Sequence, residues 1–169
     1  MTRPFHTIYL GLGTNLGDRA QNLRQALAGL RQWMTITAIS PIYETEPWGV
    51  TDQPLFWNMC VAGETAVSPH KLLTHLKQLE QEIGRTPTRR WGPRLIDIDI
   101  LFYDDLVLQA DTLTIPHPGI PQRAFVLVPL ADIAPDWVHP QLQKTVAEMV
   151  KEVGQTAVHR LLVDLFKSI

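Results

Sequence analysis

Apolar residues cluster at positions 8–12, which predicts a first strand leading into a loop through Gly13, Asn15 and Gly17. Asp18 then offers a side-chain cap, and Ala20, Leu23, Leu27, Leu30 and Met34 recur at helical spacing behind it. Residues 35–43 place Ile36, Ile39 and Ile42 among threonine and serine, which suits extended chain. A loop is expected over 44–54 and a further strand over 56–62. Ser68 and Pro69 start a second helix, with Leu72, Leu73, Leu76, Leu79 and Ile83 as its buried stripe and Gly84 as its stop. After a basic loop at 85–93, residues 95–103 alternate strictly and predict a strand, with 106–108 as its hairpin partner across Asp104 and Asp105. A proline-rich turn at 116–121 precedes 123–130. A helix is expected at 145–153 and an amphipathic tail helix at 157–166.

That order, strand, helix, strands, helix, strands, predicts an α+β fold: a mainly antiparallel sheet with helices packed on it. The strict strand–helix alternation of a doubly wound nucleotide-binding sheet is missing. With 169 residues, 45% of them apolar and 19% charged, the chain has the size and composition of one globular domain. Fifteen basic and 17 acidic side chains leave a net charge of −2, which argues against a dedicated binder of nucleic acid or anionic membrane. Cys60 is the single cysteine, so an internal disulfide framework and a cysteine-rich zinc site are excluded. No signal-peptide core and no run of about 18 apolar residues is present, and a cytoplasmic protein without a membrane role is expected.

The densest chemistry lies at 85–101. Four of the 15 cations, Arg85, Arg89, Arg90 and Arg94, fall within ten positions that hold no acid. Just downstream Asp97 and Asp99 alternate with Ile96, Ile98 and Ile100, so both carboxylates face one way and the isoleucines the other. Two carboxylates at this spacing lie roughly 6–7 Å apart and repel by roughly 2–3 kcal/mol at an effective dielectric of about 20. On an open face water screens that repulsion, and the pair is then an ordinary solvated one. In a cleft it needs a cation, and oxygen ligands at this spacing suit Mg²⁺ completed by phosphates. Arginine forks match phosphate oxygens, Arg94 above all because it sits against the aspartate strand. Trp91 stacks on a flat ring or covers the core. His117, between Pro116 and Pro118 and six residues before Arg123, joins it as a phosphate-binding pair or serves the turn alone. Gly11, Gly13 and Gly17 match neither standard nucleotide loop and read as turn glycines, and Asn15 orients a neighbouring loop.

Together Arg90-Trp91-Gly92-Pro93-Arg94-Leu95-Ile96-Asp97-Ile98-Asp99 closely resembles the signature of the 6-hydroxymethyl-7,8-dihydropterin pyrophosphokinases of folate biosynthesis. The likeness extends to Gly13-Thr14-Asn15, Tyr43-Glu44-Thr45-Glu46-Pro47, Gln53-Pro54-Leu55-Phe56-Trp57-Asn58, Pro116-His117 and Arg123-Ala124-Phe125, in order over roughly residues 7–150. The resemblance implies a ferredoxin-like α+β sandwich over residues 1–155, with 156–169 as a helical extension of no assigned role. It implies transfer of the β,γ-pyrophosphoryl group of ATP to the pterin hydroxymethyl, with two Mg²⁺ held by Asp97 and Asp99. Arg94, His117 and Arg123 would grip phosphates, Arg85 and Trp91 would belong to a closing loop, and Glu80, facing out of the second helix, would lie near the nucleotide. Thr45, Phe56, Asn58 and Phe125 would form the pterin slot, with Trp91 and Asp97 beside it. Arg85 and Arg94 would serve catalysis with the two aspartates. A monomer, with weak self-association left open, is the expected state. A non-catalytic nucleotide- or RNA-binding α+β module is the rival reading.

Overall fold

The computed structural model describes residues 4–46, 52–84 and 95–166. Along the chain run β1 (His6–Thr14), α1 (Arg19–Leu30), β2 (Thr35–Ile39), β3 (Tyr43–Thr45), β4 (Phe56–Thr65) and α2 (Pro69–Ile83). They are followed by β5 (Asp97–Tyr103), β6 (Leu108–Gln109), β7 (Thr114–Ile115), a 3₁₀ turn (Ile120–Gln122), α3 (Ala124–Ile133), α4 (Val146–Val153) and β8 (Val158–Arg160). The main sheet has the order β5-β1-β4-β3-β8, with β2 also paired to β4, and its ladders are antiparallel. The expected α+β architecture is therefore the one observed.

Alternation along the strands sends side chains to two separate cores. On one face Ile8, Leu10 and Leu12 of β1, Met59 and Val61 of β4, and Ile98 and Ile100 of β5 pack with the leucine stripes of α1 and α2. On the other, Tyr9, Cys60, Ala62 and Phe102 pack with Leu127 and Leu130 of α3 and Met149 and Val150 of α4. Asp18 caps α1 as its spacing predicts, accepting from the Gln21 N–H at 3.0 Å. Thr145 and Glu148 close a reciprocal capping box on α4.

Three expectations are corrected. The tail helix over 157–166 is not formed: β8 pairs with β3, and Leu161 N–H continues onto the Ile42 carbonyl. Leu161 and Leu165 mimic a helical repeat, but the positive φ of Gly154 (81°) and Ala157 (78°) turns the chain toward the unpaired edge of β3. Residues 106–108 do not pair with β5, since Asp104 adopts φ 48° and the chain leaves the sheet, so that β6 pairs with β7 instead. Finally, Gly11 and Gly13 lie inside β1, which runs two residues past Leu12; of the three loop glycines only Gly17, at φ 70°, makes a turn.

Candidate active site

α3 and α4 cover only part of their sheet face. Over the remainder, where the C-terminal part of β1 runs between β5 and β4, the sheet floors a cavity of about 560 Å³. Its floor is built by register. Gly13 stands between Asp97 of β5 and Asn58 of β4, and Gly11 between Asp99 and Cys60. Two strand spacings put Asp97 and Asn58 about 10 Å apart with only glycine between them, a flat bed for a planar ligand. A Cβ on Gly13 would lie 3.0 Å from Asn58 Oδ1, so the carboxamide rests directly on that glycine.

Asp97 and Asp99 both face this cavity while Ile96, Ile98 and Ile100 are 1–3% exposed on the other side. The alternation reading is thus borne out. β5 is an edge strand, and the Ile98 N–H between the two aspartates donates to Glu80 Oε1 of α2 at 2.8 Å. Glu80 therefore does not face out of its helix: its side chain is 13% exposed and turned onto the strand. Burial pushes its carboxyl up, with the Ile98 hydrogen bond and Lys77 pulling the other way and Asp97 adding to the rise. Lys77, 3.4 Å from Glu80, also lines the cavity and adds a cation that the sequence reading passed over. Its helical face was legible only as solvent-exposed.

His117 Nδ1 accepts the Gly119 N–H at 3.0 Å, which leaves the proton of the neutral ring on Nε2. Burial pulls its pKa down, Asp99 opposes that, and Arg123 reinforces it. His117 Nε2, 3.9 Å from Asp99 Oδ2, is accordingly a neutral donor aimed into the cavity. Arg123 lines the same wall, its guanidinium 5.7 Å from the Phe125 ring centroid.

At the other end Asn58, 7% exposed, donates to Thr45 Oγ1 at 2.7 Å, and Phe56 and Phe125 complete the lining. The structure thus brings together eight of the expected residues: Thr45, Phe56, Asn58, Asp97, Asp99, His117, Arg123 and Phe125. Arg85, Trp91 and Arg94 lie outside the described residues. Asn15 orients a loop as expected, donating to Gln53 Oε1 at 3.0 Å and to the Pro54 carbonyl at 3.2 Å. Gln53 and Glu46 line the cavity too and carried no chemical signal of their own in the sequence. Cys60 is 1% exposed in the second core, where burial pushes its thiol up and keeps it unreactive.

Comparison with known proteins bears directly on this cavity. A profile of the 7,8-dihydro-6-hydroxymethylpterin-pyrophosphokinase family matches residues 9–135. A 2-amino-4-hydroxy-6-hydroxymethyldihydropteridine pyrophosphokinase of Aquifex aeolicus is 40% identical over 146 residues, covering 86% of this chain and 91% of that protein. One from Methylorubrum extorquens is 43% identical over 155 residues, covering 90% and 97%. The crystal structure of Plasmodium falciparum HPPK-DHPS wild type with pteroate shares the fold, with TM-score 0.75 at 17% identity over 90% of this chain. This chain spans 45% of that longer one. None of these matches supports the rival RNA-binding reading. Since the family match runs from within β1 through α3 and takes in every described residue that lines the cavity, the chain belongs to the 7,8-dihydro-6-hydroxymethylpterin-pyrophosphokinase family of enzymes.

Proposed function

We propose that this enzyme transfers the β,γ-pyrophosphoryl group of ATP to the hydroxymethyl group of 6-hydroxymethyl-7,8-dihydropterin across the Asp97–Gly13–Asn58 floor. The observation that carries the reading is that row with its neighbour: Asp97 and Asp99 at one end, a buried amide with aromatic walls at the other, and only glycines of β1 between. Asn58, held by Thr45, would read the polar edge of the pterin while Phe56 and Phe125 flank its faces. The hydroxymethyl group then points toward Asp97. Its oxygen attacks the β-phosphorus in line, the α–β phosphoanhydride bond breaks, and AMP leaves with that bond's electron pair. The hydroxyl proton passes to solvent or to Asp97, the nearest carboxylate on the row.

The donor set fits magnesium. Two carboxylates at alternate strand positions suit a hard cation that keeps most of its coordination for water and phosphate oxygens. Among the described residues no group of three or more histidine, cysteine, aspartate and glutamate side chains could cage a metal without such help. Asp97 and Asp99 would hold the two ions expected for the family, which when bound supply positive charge to the transferring phosphates. Arg123 and the Nε2–H of His117 would hold phosphate oxygens from the opposite wall, with Lys77 on the α2 side. Arg94, Arg85 and Trp91 are proposed to cover the reactants. Glu80 acts at one remove, through the Ile98 N–H that sets the aspartate strand. A monomer is the proposed working state. The net charge of −2 supports no role for nucleic acid. Among the described residues no helix is long and apolar enough to cross a membrane.

AMP release from ATP, magnesium and the reduced pterin tests the reading. Asp97→Ala and Asp99→Ala are each expected to lower kcat about 10²–10³-fold, the scale of single electrostatic stabilisers. The fold should survive, because both side chains face the cavity and not a core. Turnover undiminished by EDTA would overturn the metal assignment, and turnover undiminished in both variants would overturn the site.

A further inference from the structure

Arg19 occupies the first position of α1, where a cation opposes the helix dipole. Its contacts lie elsewhere. Its Nη1 donates to the Leu55 carbonyl at 2.8 Å and stands 3.6 Å from Glu44 Oε2. Its guanidinium lies over Trp57, 4.6 Å from the ring centroid. Trp57 Nε1 in turn donates to the same Glu44 oxygen at 3.1 Å, and Glu44 pairs with Trp57 across the β3–β4 ladder. The indole is therefore held on its face by one partner and at its edge by another.

Each of these partners is a chain neighbour of a slot residue. Glu44 precedes Thr45, Leu55 precedes Phe56, and Trp57 separates Phe56 from Asn58. Alternation puts Glu44 and Trp57 on the sheet face opposite the cavity. Arg19 thus grips the back of the two strands whose fronts carry Thr45, Phe56 and Asn58, while Asn58 and Thr45 bond to each other on the front. Part-exposed ion pairs add little to global stability, so the consequence of this grip is local.

We propose that Arg19, through Glu44, Trp57 and the Leu55 carbonyl, is a positioning residue that sets the pterin slot and so determines affinity for the pterin and not for ATP. The proposal rests on Thr45, Phe56 and Asn58 forming that slot.

Steady-state AMP release by full-length wild type, Arg19→Ala, Arg19→Lys and Asn58→Ala, with pterin and ATP varied separately, tests it. Arg19→Ala should raise KM for the pterin about tenfold while kcat and KM for ATP stay within about twofold. Arg19→Lys keeps the charge toward Glu44 but cannot lie flat over the indole, and its pterin KM should fall between the two. If Arg19→Ala does not fold, as read by circular dichroism, Arg19→Lys carries the same test. A wild-type pterin KM in the folded variant, or pterin and ATP KM values rising together, overturns the inference. If Asn58→Ala raises the pterin KM and Arg19→Ala does not, the inference alone falls. If Asn58→Ala also leaves it unchanged, the slot falls and the inference with it.

Discussion

Glu80 shows what a single side chain can do to a site whose cavity it does not line. Its carboxylate satisfies an edge-strand N–H that has no neighbouring strand to bond. Because burial raises its folded-state pKa above the unfolded value, the folded protein favours the protonated acid. The stability this contributes is full below the unfolded pKa and is lost as pH rises through the folded one. Glu80→Gln keeps an acceptor for Ile98 without the buried charge, so its Tm relative to wild type should be higher at pH 7 than at pH 4. Glu80→Ala leaves the Ile98 N–H unpaired and should cost about 1–3 kcal/mol, with kcat falling because the aspartates lose their support. Thermal melts at the two pH values and AMP release at saturating substrate check both outcomes; an alanine variant with unchanged kcat would remove Glu80 from the site. The carboxylate's inward turn was illegible in sequence. It sits one helical turn beyond Leu76 beside Leu79, and whether it meets solvent or β5 depends on where α2 crosses the sheet.

Elements whose partners are encoded locally were legible, and those decided by distant chain were not. Alternation at 96–100 placed two aspartates on one face, and capping residues placed the start of α1 and both ends of α2, since these signals need only a few neighbours. β8 and the β6–β7 ladder were misread because a two- or three-residue strand has almost no period of its own. It is defined by the edge that receives it. Gly63 of β4 belongs to the same level. A Cβ there would lie 2.6 Å from the Thr35 carbonyl oxygen of β2 and closer still to Met34, contacts that backbone cannot relieve cheaply. Gly63→Ala should destabilise by about 1–3 kcal/mol through overpacking. Urea unfolding measures it, and kcat below the new Tm should be unchanged because Gly63 lies outside the cavity.

At the scale of the molecule, one sheet serves two cores and leaves the uncovered part of one face to the cavity proposed as the active site. The last segment closes the opposite edge: β8 extends β3, Leu165 is 6% exposed in the first core, and Arg24 Nε donates to the Leu165 carbonyl at 2.6 Å. A chain ending at Thr156 should lose roughly 2–5 kcal/mol, the scale for deleting a buried leucine, and yet keep kcat below its lowered Tm. Among the described residues, none beyond Val126 lines the cavity. Loss of turnover in the folded truncate would show that the segment reaches the site. The amino-acid order by itself determined α1, α2, α4, the long strands, the paired carboxylates and the family signature, because each is carried by short-range periodicity or by a contiguous motif. Only the tertiary structure decided that Gly11 and Gly13 are a floor, that Glu80 turns inward, that His117 Nδ1 is taken up by the Gly119 N–H and that Arg19 backs β3 and β4. Those facts depend on register between strands and on which backbone groups a neighbouring element leaves unpaired, quantities that no local stretch of sequence contains.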